Sequence, residues 1–412
     1  MRLAPGLDAI ERTAWNALLA TDGGGNPFLR YEYLRALEDA GCVGSDSGWT
    51  PQHLTLWRGD ALVGAVPLYL KEHSYGEYVF DWSWAEAYQR HGLDYYPKWL
   101  AAVPFTPVSA TRLIAADDTA RAMLAELLVQ LARSSGLSSL HLLLAPLAQI
   151  ELLQAQGCVL RQGVQFHWRN AGFADFEQFL GALAQPKRKK IRAERRRVHE
   201  AGVTLTRKCG AEIAERDWAF FIRCYEHTYA EHHSTPYLNL DFFLRLAAAL
   251  PEHLMLVVAQ RDGAPIAASL GVVDRERLYG RYWGAVEHVP CLHFECCYYQ
   301  MIEFAIERGL QVFEGGAQGA HKLARGLDPV PTYSAHWLAQ PQMHAAVARF
   351  AARESDGMAH TLDELNEHRA WRAAHTAPEP GHPNPAASQP PSPADAAEGF
   401  LPSSASAGQR RG

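Results

Sequence analysis

The chain has 412 residues, 48% of them apolar and 20% charged, so a large core can be buried and wholesale disorder is excluded. At about 150 residues per domain this length allows two or three domains. Lys and Arg number 39 against 45 Asp and Glu, a formal net charge of −6, which argues against a surface that wraps nucleic acid; no DNA partner is expected. No apolar run reaches the roughly 20 residues of a membrane-spanning helix. The opening MRLAPGLDAIERTAW carries acids too early, and lacks the apolar centre, for a secretory signal. A cytoplasmic protein is therefore expected. The seven cysteines are odd in number and form no C-x-x-C, so neither a disulfide framework nor a zinc knuckle is expected. His227, His232 and His233 make no H-E-x-x-H, and no metal is expected.

In chain order, one pattern occurs twice. Apolar residues 54–57, the turn Arg58-Gly59-Asp60 and residues 62–68 read as strand, tight turn, strand; so do 256–259, Arg261-Asp262-Gly263 and 266–270. Each copy runs on into an aromatic stretch, 78–82 and 278–283, read here as a third strand. Between the copies come a helix over 119–134, a strand over 140–144, a short helix over 148–156 and a strand over 164–168, an alternation that suits an α/β layer fold. The second half continues with a helix over 294–308, closed by Gly309, and a short strand over 311–314. Residues 341–372 read as a helix whose Val347, Phe350 and Ala351 face should pack on the body or on a second copy. From Thr376 to Gly412 eight prolines fall in 37 residues, which predicts a disordered tail.

Three segments carry candidate chemistry. Residues 186–200 hold eight Lys or Arg and two Glu, which leaves the remainder of the chain at −12. Pro186 in the first turn and Gly202 after the end frame a helix. Such a run is self-repulsive unless neutralised. Lys187, Arg188, Lys190, Arg192 and Arg195 are therefore candidate contacts for the phosphates of a coenzyme, a sugar nucleotide or RNA; the alternative is a solvated helix face. From Tyr75 to Trp99 nine aromatics fall in 25 residues, interleaved with ionisable groups. Lys71, His73, Tyr75, Glu77, Asp81, Trp84, Tyr95, Tyr96 and Lys98 are candidate substrate contacts, the alternative being an aromatic domain interface. Third, the strand end Glu314 opens a loop, Gly315-Gly316-Ala317-Gln318-Gly319, followed by His321, Lys322 and Arg325. Its backbone N–H groups suit an anion or a developing oxyanion. Gly315, Gly316, Gln318 and Gly319 are candidate anion contacts, and Glu314, His321, Lys322 and Arg325 candidate catalytic groups. The loop has neither the Gly-Lys-Ser/Thr of a Walker motif nor the third glycine of a dinucleotide loop. On helix 294–308, Glu295 is a candidate base and Tyr298 and Tyr299 candidate substrate contacts. Cys296 and Cys297 read as buried, inert thiols.

These stretches together resemble the FemAB-like peptidoglycan biosynthesis/recognition proteins of the GNAT acyltransferase superfamily, from Asn26-Pro27-Phe28 to His336-Trp337. The marks include Pro67-Leu68-Tyr69-Leu70-Lys71, His73 to Trp82, Tyr95-Tyr96-Pro97-Lys98, Val103-Pro104-Phe105-Thr106-Pro107, His293-Phe294-Glu295 and Gly316 to Gly326. The resemblance implies an α/β fold of mixed sheets in tandem GNAT-like domains, over residues 1–165 and 166–340, then a helical segment 341–373 and the tail 374–412. It also implies transfer of an aminoacyl group from aminoacyl-tRNA to an amine of a cell-wall precursor. The basic helix, and a small-residue turn followed by Lys322 or Arg325, resemble parts of those transferases. The chain lacks their long helical arm, and it lacks a Gln/Arg-x-x-Gly-x-Gly coenzyme A loop. The expectation is an N-acyltransferase acting on a small-molecule or cell-wall-precursor amine. Its cosubstrate is acetyl-CoA or aminoacyl-tRNA, with tRNA a partner in the second case, and no prosthetic group is expected. The rival is a non-catalytic binder of a wall fragment or nucleotide-sugar that retains the fold.

Overall fold

Polar turns closed by glycine fold both hairpins back on themselves. The computed structural model describes residues 1–23, 25–316, 319–367 and 369–372. Its strands are β1 (Arg2–Ala4), β2 (Trp49–Pro51), β3 (His53–Arg58), β4 (Ala61–Val66), β5 (Leu68–Lys71), β6 (Lys98–Ala101), β7 (Ile114–Ala115) and β8 (Ser139–Ala145). They continue as β9 (Val159–Arg169), β10 (Val203–Cys209), β11 (Leu254–Arg261), β12 (Ala264–Val273), β13 (Arg277–Ala285), β14 (Val312–Glu314) and β15 (Asp328–Leu338). One sheet has the order β1-β3-β4-β7; the other runs β10-β11-β12-β13-β14-β9-β15-β8-β6-β5-β2.

The repeat is visible in this order. In each half a third strand is followed by a helix and a return strand parallel to it: β6 with β8 around helix Asp118–Ser134, and β13 with β14 around helical residues 292–307. The halves then exchange their last strands. β9 leaves the first half to pair with β14, β15 leaves the second to pair with β8, and β9 and β15 pair with each other. One sheet therefore runs through the whole body, and residues far apart in sequence meet at its centre.

The first aromatic stretch is not a strand. Tyr78 turns at φ 62°, Asp81 turns inward, and Trp82–Arg90 is a helix. Trp84 and Tyr88, four residues apart, share the helix face that packs with Tyr95, Leu338, Met343 and Val347 under helix Pro341–Glu367. Each such burial is worth about 1.5–3 kcal/mol, which outweighs the weak strand preference of an alternating aromatic run. Lys98–Ala101 is the third strand instead. The tail and Gln318 lie outside the described residues.

Candidate functional site

On the central strands one sheet face gathers ionisable groups. Glu314, the last residue of β14, stands opposite His167 of β9 and Tyr279 of β13. Residues paired in this way point to the same face. Glycine follows, where a Cβ would lie 2.3 Å from Leu327 Cδ2 and 3.2 Å from Phe166 O, so its bareness lets the turn pack closely. Gly315 N donates to Phe166 O (2.9 Å), and Phe166 N donates to Gly316 O (3.0 Å), so the turn continues the ladder to β9. On β13 the register slips between Gly280 and Tyr282, leaving Arg281 as the extra residue of a β-bulge.

Glu314 is 1% exposed. Its Oε1 accepts from Arg277 Nη1 at 3.1 Å, while Oε2 has no hydrogen-bond partner among the described residues. Burial pushes its carboxyl above the usual range, against the pull of Arg281 and Arg277. Arg281 Nη1 donates to Gly280 O (3.0 Å); Nε and Nη2 are buried without a partner among the described residues. His167 Nε2 donates to Gln165 Oε1 (3.2 Å), and Gln165 Nε2 donates to Pro107 O (2.6 Å). Gln165 also lines a cleft of about 240 Å³ with Tyr78, Val79, Phe80 and Arg161. The aromatic segment and the glycine turn thus meet through Gln165 and His167. Tyr78 and Leu144 at this cleft, and Phe105 nearby, are bulky residues held at φ 62°, 56° and 57°, a strain that gathers at functional sites.

Phe166 and Phe313, the strand neighbours of His167 and Glu314, face the other way, into a core with Leu323, Tyr298 and Tyr299. The remaining candidates of the second half lie on that side. Arg325 pairs with Glu194 through both carboxylate oxygens (2.9 and 2.8 Å), donates to Tyr299 OH (3.0 Å) and His321 O (2.8 Å), and lies 3.5 Å over the Phe294 ring. Glu295 is held by Arg195 (3.1 Å) and Gln300 (2.8 Å). Tyr298 OH is 3.1 Å from His321 Nε2. Lys322 is fully buried, which lowers its pKa to about 7. Burial pushes the Cys296 and Cys297 thiols up. The structure therefore separates Glu314 from Glu295, His321, Lys322 and Arg325.

The basic run forms the helix Gln185–Glu200, anchored by Ile191, Glu194 and Val198. Arg195 is committed to Glu295 and Glu303, Arg192 to Glu177, and Arg188 reaches Gly181 O (3.4 Å). Lys190 is 59% exposed and 4.0 Å from Glu194; Lys189 and Arg197 also face solvent.

In the first half Lys98, fully buried, donates to Ser74 Oγ (2.9 Å), Glu77 Oε2 (2.9 Å) and Asp81 Oδ2 (2.5 Å). Tyr95 OH donates to Asp81 (2.6 Å), and Ser74 Oγ is 2.8 Å from Tyr96 OH. His141 Nδ1 lies 2.7 Å from Nδ1 of His336, its register partner on β15. Burial raises Glu77 to about 7, and Lys98 and His141 hold Asp81 well below the usual carboxylate range despite its burial. Lys71, opposite Lys98, lies 4.0 Å over Trp49; burial lowers it to about 7. His73 and Tyr75 line a second cleft of about 580 Å³ with Trp49 and Phe105 and with residues 233–239 of the second half. Trp84 and Tyr95 belong to the core. Among the described residues no His, Cys, Asp and Glu group is arranged to hold a metal, and no helix is long and apolar enough to cross a membrane.

The model of the FemAB-like family, peptidoglycan biosynthesis/recognition, matches residues 6–373. The chain belongs to this family. This membership sits beside the internal repeat seen in the strand order. Among solved structures, FemX is similar at 12% identity and TM-score 0.52, covering 82% of this chain and 98% of its own. A DUF2156 domain from Agrobacterium fabrum is similar at 11% and 0.52, covering 83% and 95%. L-PGS from Bacillus licheniformis is similar at 11% and 0.51, covering 83% and 97%. At such identities these likenesses concern the fold. No curated protein matches the sequence.

Arg277, Arg281 and His167 were not among the residues expected from the sequence to act. The signal was present in Arg277-Leu278-Tyr279-Gly280-Arg281-Tyr282-Trp283: two arginines in an aromatic strand, with an internal glycine of the kind that marks a bulge.

Proposed function

We propose that this FemAB-like protein is an N-acyltransferase that joins an acyl or aminoacyl group to an amine in peptidoglycan precursor metabolism, with Glu314 as the general base. The observation that carries the reading is Glu314 itself: one oxygen tied to Arg277, the other without a partner among the described residues, at the strand end that opens the glycine turn. Family membership supports the substrate field.

The acceptor amine attacks the donor's carbonyl carbon; a C–N bond forms and the bond to the departing alcohol or thiol breaks. Glu314 Oε2 takes the proton that the amine must lose, and that proton then goes to the leaving group. Burial lifts the Glu314 carboxyl above its ordinary range, the direction that makes the carboxylate a stronger base. Arg277 fixes the carboxylate so that one oxygen stays available. The solvent face of helix Gln185–Glu200, with Lys189, Lys190 and Arg197, supports a polyanionic donor, aminoacyl-tRNA or the coenzyme A moiety.

The test is incubation of the purified protein with labelled aminoacyl-tRNA or acetyl-CoA and muropeptide or nucleotide-linked acceptors, followed by mass spectrometry of the acceptor. The expected result is a mass increase of one acyl group with one donor, lost in Glu314→Gln. Acceptor binding without transfer from either donor would make the chain a binder of wall fragments instead.

A further inference from the structure

Buried N–H groups without a partner are rare in folded proteins, rarer than oxygens with a spare lone pair. Among the described residues Arg281 has them on two nitrogens, at 4% exposure. Its Nη1 is used on Gly280 O. Nε and Nη2 form the side of a guanidinium that offers two parallel N–H bonds, the fork that fits two oxygens of one anion. The fork is held in place: the bulge sets its direction, and the Phe28 and Tyr279 rings lie 4.7 and 5.4 Å from the guanidinium carbon.

The surroundings indicate the charge of the missing partner. Glu314 already gives Oε1 to Arg277. Burial and the nearby arginines keep His167 neutral, and Tyr33 OH is engaged with Thr106 (3.1 Å). Tyr78 and Gln165, the hydrogen-bond partner of His167, line the 240 Å³ cleft, which sets the cleft beside this part of the sheet. Arg281 and Arg277 share Glu314 as their buried carboxylate, so one further negative charge balances the pair. A carboxylate meets that condition; a doubly charged phosphate would be left half neutralised.

We propose that Arg281 is a carboxylate clamp: it binds side-on a carboxylate that the acceptor carries on the same small unit as its amine, which sets that amine beside Glu314. The acceptor class then narrows to an amino acid, or a peptide end, that keeps a free amine and a free carboxylate together. The placement of the amine rests on the transferase reading above; the clamp is a matter of binding alone.

The experiment is therefore a binding measurement without donor. The full chain is titrated calorimetrically with lysine and alanine of either hand, with their carboxamides and with inorganic phosphate, and each ligand's effect on the melting temperature is recorded. At least one acid should bind, and its carboxamide should bind roughly 10- to 100-fold more weakly, the scale of charge-assisted bonds. Arg281→Lys keeps the charge but loses the fork and should lose this preference; Arg281→Met should lose it too, and circular dichroism checks that both variants fold. The proposal is overturned if acid and carboxamide bind equally, if phosphate is preferred to every acid, if no acid binds, or if the preference survives Arg281→Lys. Binding of acids by a protein that never transfers an acyl group would remove the transferase reading and leave the clamp. Transfer to amines lacking a carboxylate, with no binding preference, would do the reverse.

Discussion

Two buried charge clusters occupy matching places in the two halves. In the first, His141 on β8 faces His336 on the exchanged strand β15; in the second, Glu314 on β14 faces His167 on the exchanged strand β9. The first cluster spends its donors. Lys98 makes three bonds; among the described residues the unused atoms are one oxygen each of Glu77 and Asp81 and Nε2 of His336. The second keeps donors in reserve on Arg281 beside a half-used carboxylate. The same topology thus supports a charge cluster whose lysine is fully engaged, holding loop 74–81 to the sheet, and one whose arginine is not.

The sharpest way to break this comparison is to remove one group from each cluster. Glu314→Gln should lower turnover by about 10²–10⁴-fold, with a melting temperature near that of the wild type; a loss under threefold in a transfer assay would remove Glu314 from the role of base. Lys98→Met should do the opposite. It leaves two buried carboxylates without their cation and should cost about 3–5 kcal/mol in denaturant unfolding, so an unchanged midpoint would show that the first cluster is not structural.

Acid should expose a further asymmetry. Burial holds His141 and His167 near pH 3, below the ordinary 6.5. Between those values the unfolded chain binds more protons, so their contribution is whole above about pH 6.5 and falls as the pH drops toward 3, by at most about 1.4 kcal/mol per pH unit for each. Glu77, raised to about 7, acts in the other sense: its contribution is lost as the pH rises from the ordinary carboxylate range to about 7. His141→Gln isolates the histidine part and should flatten the fall of melting temperature between pH 6.5 and 4; an unchanged slope would assign the acid response elsewhere. The smallest expected effect on folding is at the basic helix. Lys189→Ala with Lys190→Ala should change stability by under about 0.5 kcal/mol, yet weaken polyanion binding and reduce its salt dependence. Unchanged tRNA and coenzyme A binding would return this face to plain solvation.

Much of the fold was legible. Polar Gly turns announce the hairpins, the 3.6-residue period announces helices Asp118–Ser134 and Pro341–Glu367, and Gly309 marks a helix end. The stretch 78–82 was misleading, because an alternating aromatic run is a strand only where a partner edge accepts it, and Asp81 is drawn to Lys98 instead. Less of the candidate site was legible. Glu314 and the glycine turn could be nominated from residue type and order, but Arg325 could not be told from a catalytic arginine until Glu194, 131 residues away, closed on it.

The sequence alone determined most of the elements, the repeated hairpin pattern, the family resemblance and which residues are chemically able. Those properties depend on near neighbours and on side-chain type, which a linear chain displays directly. Only the tertiary structure decided which charges are spent and which are kept. That depends on strand exchange between the halves, set by packing across more than a hundred residues, and on a one-residue slip between the neighbouring strands β12 and β13.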